Sequence, residues 1–134
     1  MKKPYYDNIE KAAEGNDNFR KVVFTGEHSQ VVLMSLPKDC DIGVEIHPNV
    51  DQFFRIESGE GKAVVDGKEY ELSDGVSLLV PAGTEHNLIN TGDEPLKLYT
   101  IYSPPNHIDG RIHKTKDDAM ADAEDEEFGH SEEK

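Results

Sequence analysis

The 134-residue sequence predicts an all-β fold, a sandwich or barrel closed by antiparallel strand pairs. Three observations point there. Short apolar and β-branched runs recur through residues 19–102. Glycine, proline, Asn or Asp separates them at intervals of about ten residues. Asp66-Gly67 sits between two such runs, a strong two-residue hairpin signal. The length suits one domain with a single sizeable core.

The elements follow in order. Tyr5 to Glu14 is compatible with a short helix. Phe19 to Thr25 and Gln30 to Leu36 read as strands joined by the Gly26–Ser29 loop. Glu45-Ile46-His47 reads as a short strand, and Pro48-Asn49-Val50 turns the chain into a strand over Gln52 to Glu57. Ser58–Gly61 turns again, and Lys62–Val65 pairs with Lys68–Leu72 through the hairpin. Ser73-Asp74-Gly75 leads into Val76–Val80. Pro81 and Gly83 then force a sharp reversal, because proline fixes φ and glycine tolerates positive φ. His86–Asn90 and Leu96–Tyr102 complete a set of eight or nine strands, and Ser-Pro-Pro-Asn ends the regular pattern. No internal repeat is visible. The predicted organisation is an N-terminal segment over 1–18, a barrel over 19–116 and an acidic tail over 117–134.

The net charge of -14 is unevenly placed. From Asp117 onward nine acidic residues stand against one lysine. Such a segment reads as a solvated, mobile terminus, although Asp117–Glu127 is also compatible with a short helix. The acidity argues against nucleic acid and anionic membrane as partners. The one cysteine, Cys40, rules out an internal disulfide and favours a cytoplasmic setting. No apolar run approaches the length of a membrane span, and the basic N-terminus lacks the apolar stretch of a signal peptide.

Strand alternation places the candidate chemistry. Residues two apart share a face, so Glu45 and His47 point the same way. If Gln52 faces inward, so do Phe54 and Ile56, while Phe53, Arg55 and Glu57 face outward. A carboxylate, an imidazole and an amide oxygen then meet at neighbouring strand ends, with His86 as the fourth member. Glu45, His47, Gln52 and His86 form a mixed N/O set suited to one divalent transition metal: Mn, Fe(II), Ni, Co or Zn.

The residues Gly75, Pro81, Gly83, His86 and Asn90 match the second cupin motif at every spacing, and the chain resembles that superfamily from about Gln30 to Tyr102. Glu45, His47, Gln52 and Gly59 fall at the spacings of the first motif, whose usual residues are His, His, Glu and Gly. The stretches EIHPNVDQFFRIESGEG and NTGDEPLKLYTIYSPPNH resemble the small, single-domain bacterial cupins labelled mannose-6-phosphate-isomerase-like. The resemblance implies a double-stranded β-helix, or jelly roll, with a metal inside the barrel, and a homodimer. Glu45 at the first histidine position and Gln52 at the glutamate position keep one carboxylate in the set. An apolar strand over Phe19–Thr25 is a candidate for pairing with a second copy.

Two function classes follow. One is a metalloenzyme acting on a sugar-like or other small oxygenated metabolite, with isomerase, epimerase or dioxygenase chemistry open and Glu45 and His86 as candidate catalytic residues. The other is a non-catalytic module that binds a small ligand. His107 and His113 lie beyond the last clear strand, where the choice is between surface residues and acid/base groups folded over the barrel mouth. Arg55 is expected in an outward salt bridge, His28 in solvent, and Asp51 outside the site. Cys40, flanked by acids, is not expected to be a nucleophile.

Overall fold

Two antiparallel sheets face each other across one apolar core in this computed structural model, which describes residues 3–132. A short helix α1 (Ile9–Glu14) precedes nine strands: β1 (Arg20–Thr25), β2 (Gln30–Leu36), β3 (Asp51–Ser58), β4 (Gly61–Val65), β5 (Lys68–Leu72), β6 (Ser77–Val80), β7 (His86–Asn90), β8 (Leu96–Ser103) and β9 (Ile112–His113). Helices α2 (Lys116–Ala121) and α3 (Ala123–Glu132) follow. The larger sheet runs β6-β3-β8-β2-β1-β9 and the smaller β5-β4-β7. The arrangement is the predicted jelly roll.

Alternation decides what is buried. Val32, Met34 and Leu36 of β2, Phe54 and Ile56 of β3, and Leu98 of β8 point inward against Ala63, Leu72 and Leu88 of the smaller sheet. Each fully buried Leu or Phe is worth about 1.5–3 kcal/mol of transfer free energy. Asp66-Gly67 closes the β4–β5 hairpin with both residues at positive φ (50° and 80°), as a type I′ turn requires. At Gly59, a Cβ would lie 2.6 Å from the Pro95 carbonyl oxygen, so only glycine admits the β8 entry so close to the turn.

Three expectations are corrected. Glu45–His47 is no strand: Glu45 contributes one isolated bridge to His86, preceded by Gly43 at φ +93°. A ninth strand instead comes from Ile112–His113, beyond the Ser-Pro-Pro-Asn break, because the returning chain pairs with the open edge of β1. That edge is therefore partly covered within the chain: β1 lies between β2 and β9. The acidic segment also does not stand off in solvent. α2 opens with a capping box in which Thr115 and Asp118 exchange hydrogen bonds, and Asp125 of α3 is buried.

Gln52, Phe54 and Ile56 face inward as alternation predicts, and Arg55 takes its outward salt bridge, 3.4 Å from Glu57. Glu57 shares that outer face yet has a fully buried side chain, since α1 packs across β2, β3 and β8. Neither of its carboxyl oxygens has a hydrogen-bond partner. Burial pushes its pKa up, against the pull of Arg55 and with help from Glu10, Asp74 and Glu14. The folded state thus holds this proton more tightly than the unfolded chain. The stability so gained is full below the unfolded pKa of about 4.3 and is lost as pH rises through the folded value. Glu57→Gln should therefore stabilise the protein by about 1 kcal/mol at pH 8, with the gain shrinking toward pH 4. Urea titrations of both proteins across that range measure it.

Candidate metal centre

The site is built on one backbone pair. Glu45 and His86 exchange both amide hydrogen bonds, each 2.9 Å, so their side chains stand directly opposite on the same face. Ile42 and Asn90 continue that ladder through bonds to the Leu88 and Cys40 carbonyls. His47 follows two residues after Glu45 and returns to its face. The chain there is fixed from the other side, because the Gly83 amide donates to the His47 carbonyl at 2.8 Å. Gly83 sits at φ +84°, which lets the Pro81–Thr84 turn present that amide. Gln52 enters from β3 of the opposite sheet, paired with Val80 and Tyr102.

Four polar groups converge as a result. His47 Nε2 lies 2.7 Å from Glu45 Oε2, and His86 Nε2 lies 3.2 Å from Gln52 Oε1. Ligand atoms of Glu45, His47 and His86 all lie within 4.8 Å of one another. Adjacent ligands at about 2.1 Å from one cation are separated by roughly 3.0 Å, so the spacing fits a metal-sized centre.

The donor chemistry fits as well. His86 Nδ1 lies 3.0 Å from the Thr84 carbonyl, which only accepts, so the ring proton sits on Nδ1. Nε2 then offers a lone pair. The Gln52 amide is oriented by its Nε2, which donates to Thr100 Oγ1 at 3.1 Å, and its oxygen faces the imidazole. Burial lowers the pKa of His86, disfavouring a second ring proton despite the Thr84 carbonyl and Glu45 nearby. Two lone pairs thus face each other in a dry setting, an arrangement a cation relieves. Burial pushes the Glu45 carboxyl up, but His47, Arg20 and His86 outweigh it and hold the pKa low. Glu45 thus offers the set a carboxylate held below its usual pKa.

His86 and Gln52 are sealed, whereas the Glu45 side chain is 24% exposed and opens on a cavity of about 540 Å³. The wall of that cavity includes Arg20, His47, His107, Met120 and Asp125. The acidic helices are thus part of the site wall. His107 is positioned by Gln30, whose Oε1 accepts from the His107 amide at 3.0 Å and whose Nε2 donates to its carbonyl at 2.7 Å. Its ring donates from Nδ1 to Asp125 Oδ2 at 2.7 Å, and burial lowers its pKa in spite of that carboxylate.

The sequence-predicted residues divide clearly. Glu45, His47, Gln52 and His86 come together. Of the two late histidines, His107 folds over the mouth. His113 is buried too, but it hydrogen-bonds Asp122 at 2.9 Å and does not line the cavity. The Asp122 carboxylate also meets Arg111 at 3.2 Å, so the His113–Asp122–Asp125 group carries its own cation. Asp51 accepts from the Ala82 amide at 2.8 Å and braces the turn. His28 is exposed, and burial raises the Cys40 pKa, against a nucleophilic role. Sequence reading missed Arg20 and Tyr102. Arg20 shares its strand face with buried Val22, and that parity was the available signal.

Fold and site together define a class: small jelly-roll proteins with a candidate cation centre at the mouth of the barrel. The chain belongs to the cupin family, whose cupin domain profile matches residues 32–102. It is similar to the uncharacterized protein YrkC of Bacillus subtilis, 53% identical over 129 residues that span 92% of this chain and 69% of that one. An uncharacterized protein of Acanthamoeba polyphaga mimivirus is 43% identical over 113 residues, 81% of this chain and 70% of the other. The crystal structure of a Bacillus halodurans protein, 46% identical, superposes with a TM-score of 0.87 over 89% of this chain and 95% of its own.

The Asp125 carboxylate accepts from the Ile108 amide at 2.7 Å as well as from His107. Burial raises its pKa, but the hydrogen bonds from His107 and the Ile108 amide, with the positive field of Arg20, outweigh it and hold the pKa below the usual carboxylate value. Its contribution is present above the unfolded pKa of about 3.9 and is lost as pH falls through the lower folded value. Asp125→Ala should cost about 2–4 kcal/mol at pH 7, with wild type and variant converging at low pH. Thermal unfolding at pH 7 and pH 3 checks this.

Proposed function

We infer that the protein binds one divalent transition metal through Glu45, His47 and His86, with Gln52 as a fourth, weaker ligand, and acts on a small oxygenated metabolite. The observation that carries this is the convergence of three ligating side chains and an inward amide oxygen beside a 540 Å³ cavity. A bound Mn, Fe(II), Ni, Co or Zn would polarise a carbonyl or hydroxyl oxygen of the substrate. The chain's own groups supply the rest. Glu45, ionised and facing the cavity, is able to accept a substrate proton. His86 is held in one tautomer by the Thr84 carbonyl, which fixes the lone pair it offers. His107, oriented by Asp125 and kept neutral by burial, is a second proton acceptor at the mouth. A proton shift of the isomerase or epimerase kind needs these groups only; the same open mouth would serve oxygenation.

Second, the outer face of the larger sheet supports a homodimer. Phe53, Leu79 and Ile101 adjoin one another in register there, and the Tyr99 ring lies 6.4 Å from Phe53. Leu79 is 60% exposed in the single chain. Light scattering should return twice the 15.0 kDa chain mass, and Leu79→Glu should shift it to the monomer.

Elemental mass spectrometry of the untagged protein tests the centre. Near-stoichiometric metal is expected, lost in His47→Ala and His86→Ala and weakened about 10–100-fold in Gln52→Ala. Metal-free protein after anaerobic reconstitution would reject the centre. If the two histidine variants then bound small ligands as wild type does, the non-catalytic binding module would stand in its place.

A further inference from the structure

Arg20 is the side chain in the cavity wall that the metal centre leaves unexplained. It is 8% exposed, and a buried guanidinium is ordinarily paired with a carboxylate. Arg20 forms no ion pair with a carboxylate among the described residues, and its Nε is sealed from solvent without a hydrogen-bond partner. The side chain forms part of the cavity wall. One face is covered by the Phe19 ring, whose centroid lies 5.3 Å from the guanidinium carbon, and the Tyr102 hydroxyl accepts at one edge.

Other charges facing the cavity are already committed. Lys116 is tied to Asp41 at 2.5 Å. Asp125 is held by His107 and the Ile108 amide, and Glu45 by His47. Among the described residues lining the cavity, Arg20 is thus the cation with no carboxylate at ion-pair distance, and it shares that wall with Glu45 and His47. A guanidinium edge matches a planar carboxylate, which it meets through two parallel hydrogen bonds. A doubly charged phosphate would be repelled more strongly than a singly charged carboxylate by Glu45, Asp125 and Glu126 in the same wall.

We propose that the substrate or ligand is a small hydroxy- or oxo-carboxylate, whose carboxylate pairs with Arg20 while its neighbouring oxygen faces Glu45, His47 and His86. This names the substrate class of the site proposed above and rests on that reading for the second contact only. Neutral sugars and polyols lack the group that Arg20 awaits.

The sealed Nε–H gives a direct reporter. Its 1H–15N resonance, assigned as the signal absent from Arg20→Lys, is followed in the full-length protein as D-gluconate, L-malate and glycolate are added. D-sorbitol and ethylene glycol serve as uncharged counterparts. At least one carboxylate should shift the resonance in a saturable way and the polyols should not. Arg20→Met should weaken that carboxylate by about tenfold or more, and Arg20→Lys by less. No response to any of the three carboxylates, an equal response to the polyols, or unchanged affinity in Arg20→Met overturns the proposal. The titrations are run on chelator-treated and on zinc-loaded protein. A response that persists in protein shown to bind no metal removes the metal centre and keeps the carboxylate class. Stoichiometric zinc with no carboxylate response does the reverse.

Discussion

The site depends on one backbone pair. Glu45 and His86 exchange amide hydrogen bonds at the edge of the smaller sheet, and the candidate ligands are positioned from that pair. It sets Glu45 and His86 side by side, lets His47 return to the same face, and leaves the opposite sheet to bring in Gln52. A regular strand over 41–47 would also have put Glu45 and His47 on one face, but the chain bends at Gly43, whose φ is +93°. The irregularity is needed because the ligating segment must also reach the Gly83 amide across the barrel opening. Two short tethers, one on each side, substitute for the ladder a full strand would have made.

A second constraint acts on the wall of the cavity formed by residues 106–107 and α3. Gln30 is fully buried at the start of β2, and its amide binds the backbone of residues 106 and 107 from both ends. That clamp presents the His107 ring to Asp125, and Asp125 in turn anchors α3 over the mouth. Helices of six and ten residues have little stability alone, so their place comes from these few buried bonds and not from propensity. An acidic segment is thereby recruited to a wall whose other side carries Arg20. The field of that arginine, with those of His107 and the Ile108 amide, offsets the cost of burying the Asp125 carboxylate.

Much of this was legible in the residues, and the rest was not, for identifiable reasons. Period-two alternation over β3 correctly places Gln52, Phe54 and Ile56 inside, because a one-residue slip would have turned the whole apolar set to solvent. Asp66-Gly67 and the Pro81–Gly83 turn were readable because few residue types tolerate those dihedrals. Glu45–His47 misled because apolar Ile46 between polar neighbours looks like strand alternation, whereas Ile46 is 52% exposed on an irregular segment. The C-terminal helices misled because composition reports average solvation. Among the described acidic side chains of this segment Asp125 is the buried one, and no local pattern marks it. β9 is two residues long, below what periodicity can register.

The placement of charge within the ligand set has a consequence of its own. The first cupin motif, as it usually runs, has histidine where this chain has Glu45 and glutamate where it has Gln52. The carboxylate is thereby moved from a position 1% exposed to one whose side chain is 24% exposed. The total charge is kept while the deep site becomes neutral, which spares the cost of an ionised group beside Phe54 and Thr100. Thr100 then donates nothing to a carboxylate; its hydroxyl accepts from the Gln52 amide and fixes that oxygen toward His86. At the mouth, the relocated carboxylate is within the field of Arg20 and can be reached from the cavity. A negative group buried under the metal position can only ligate. Under the proposed function the same group at the rim would also be able to take a proton from an occupant of the cavity, and that is the chemical difference this exchange of residues would make.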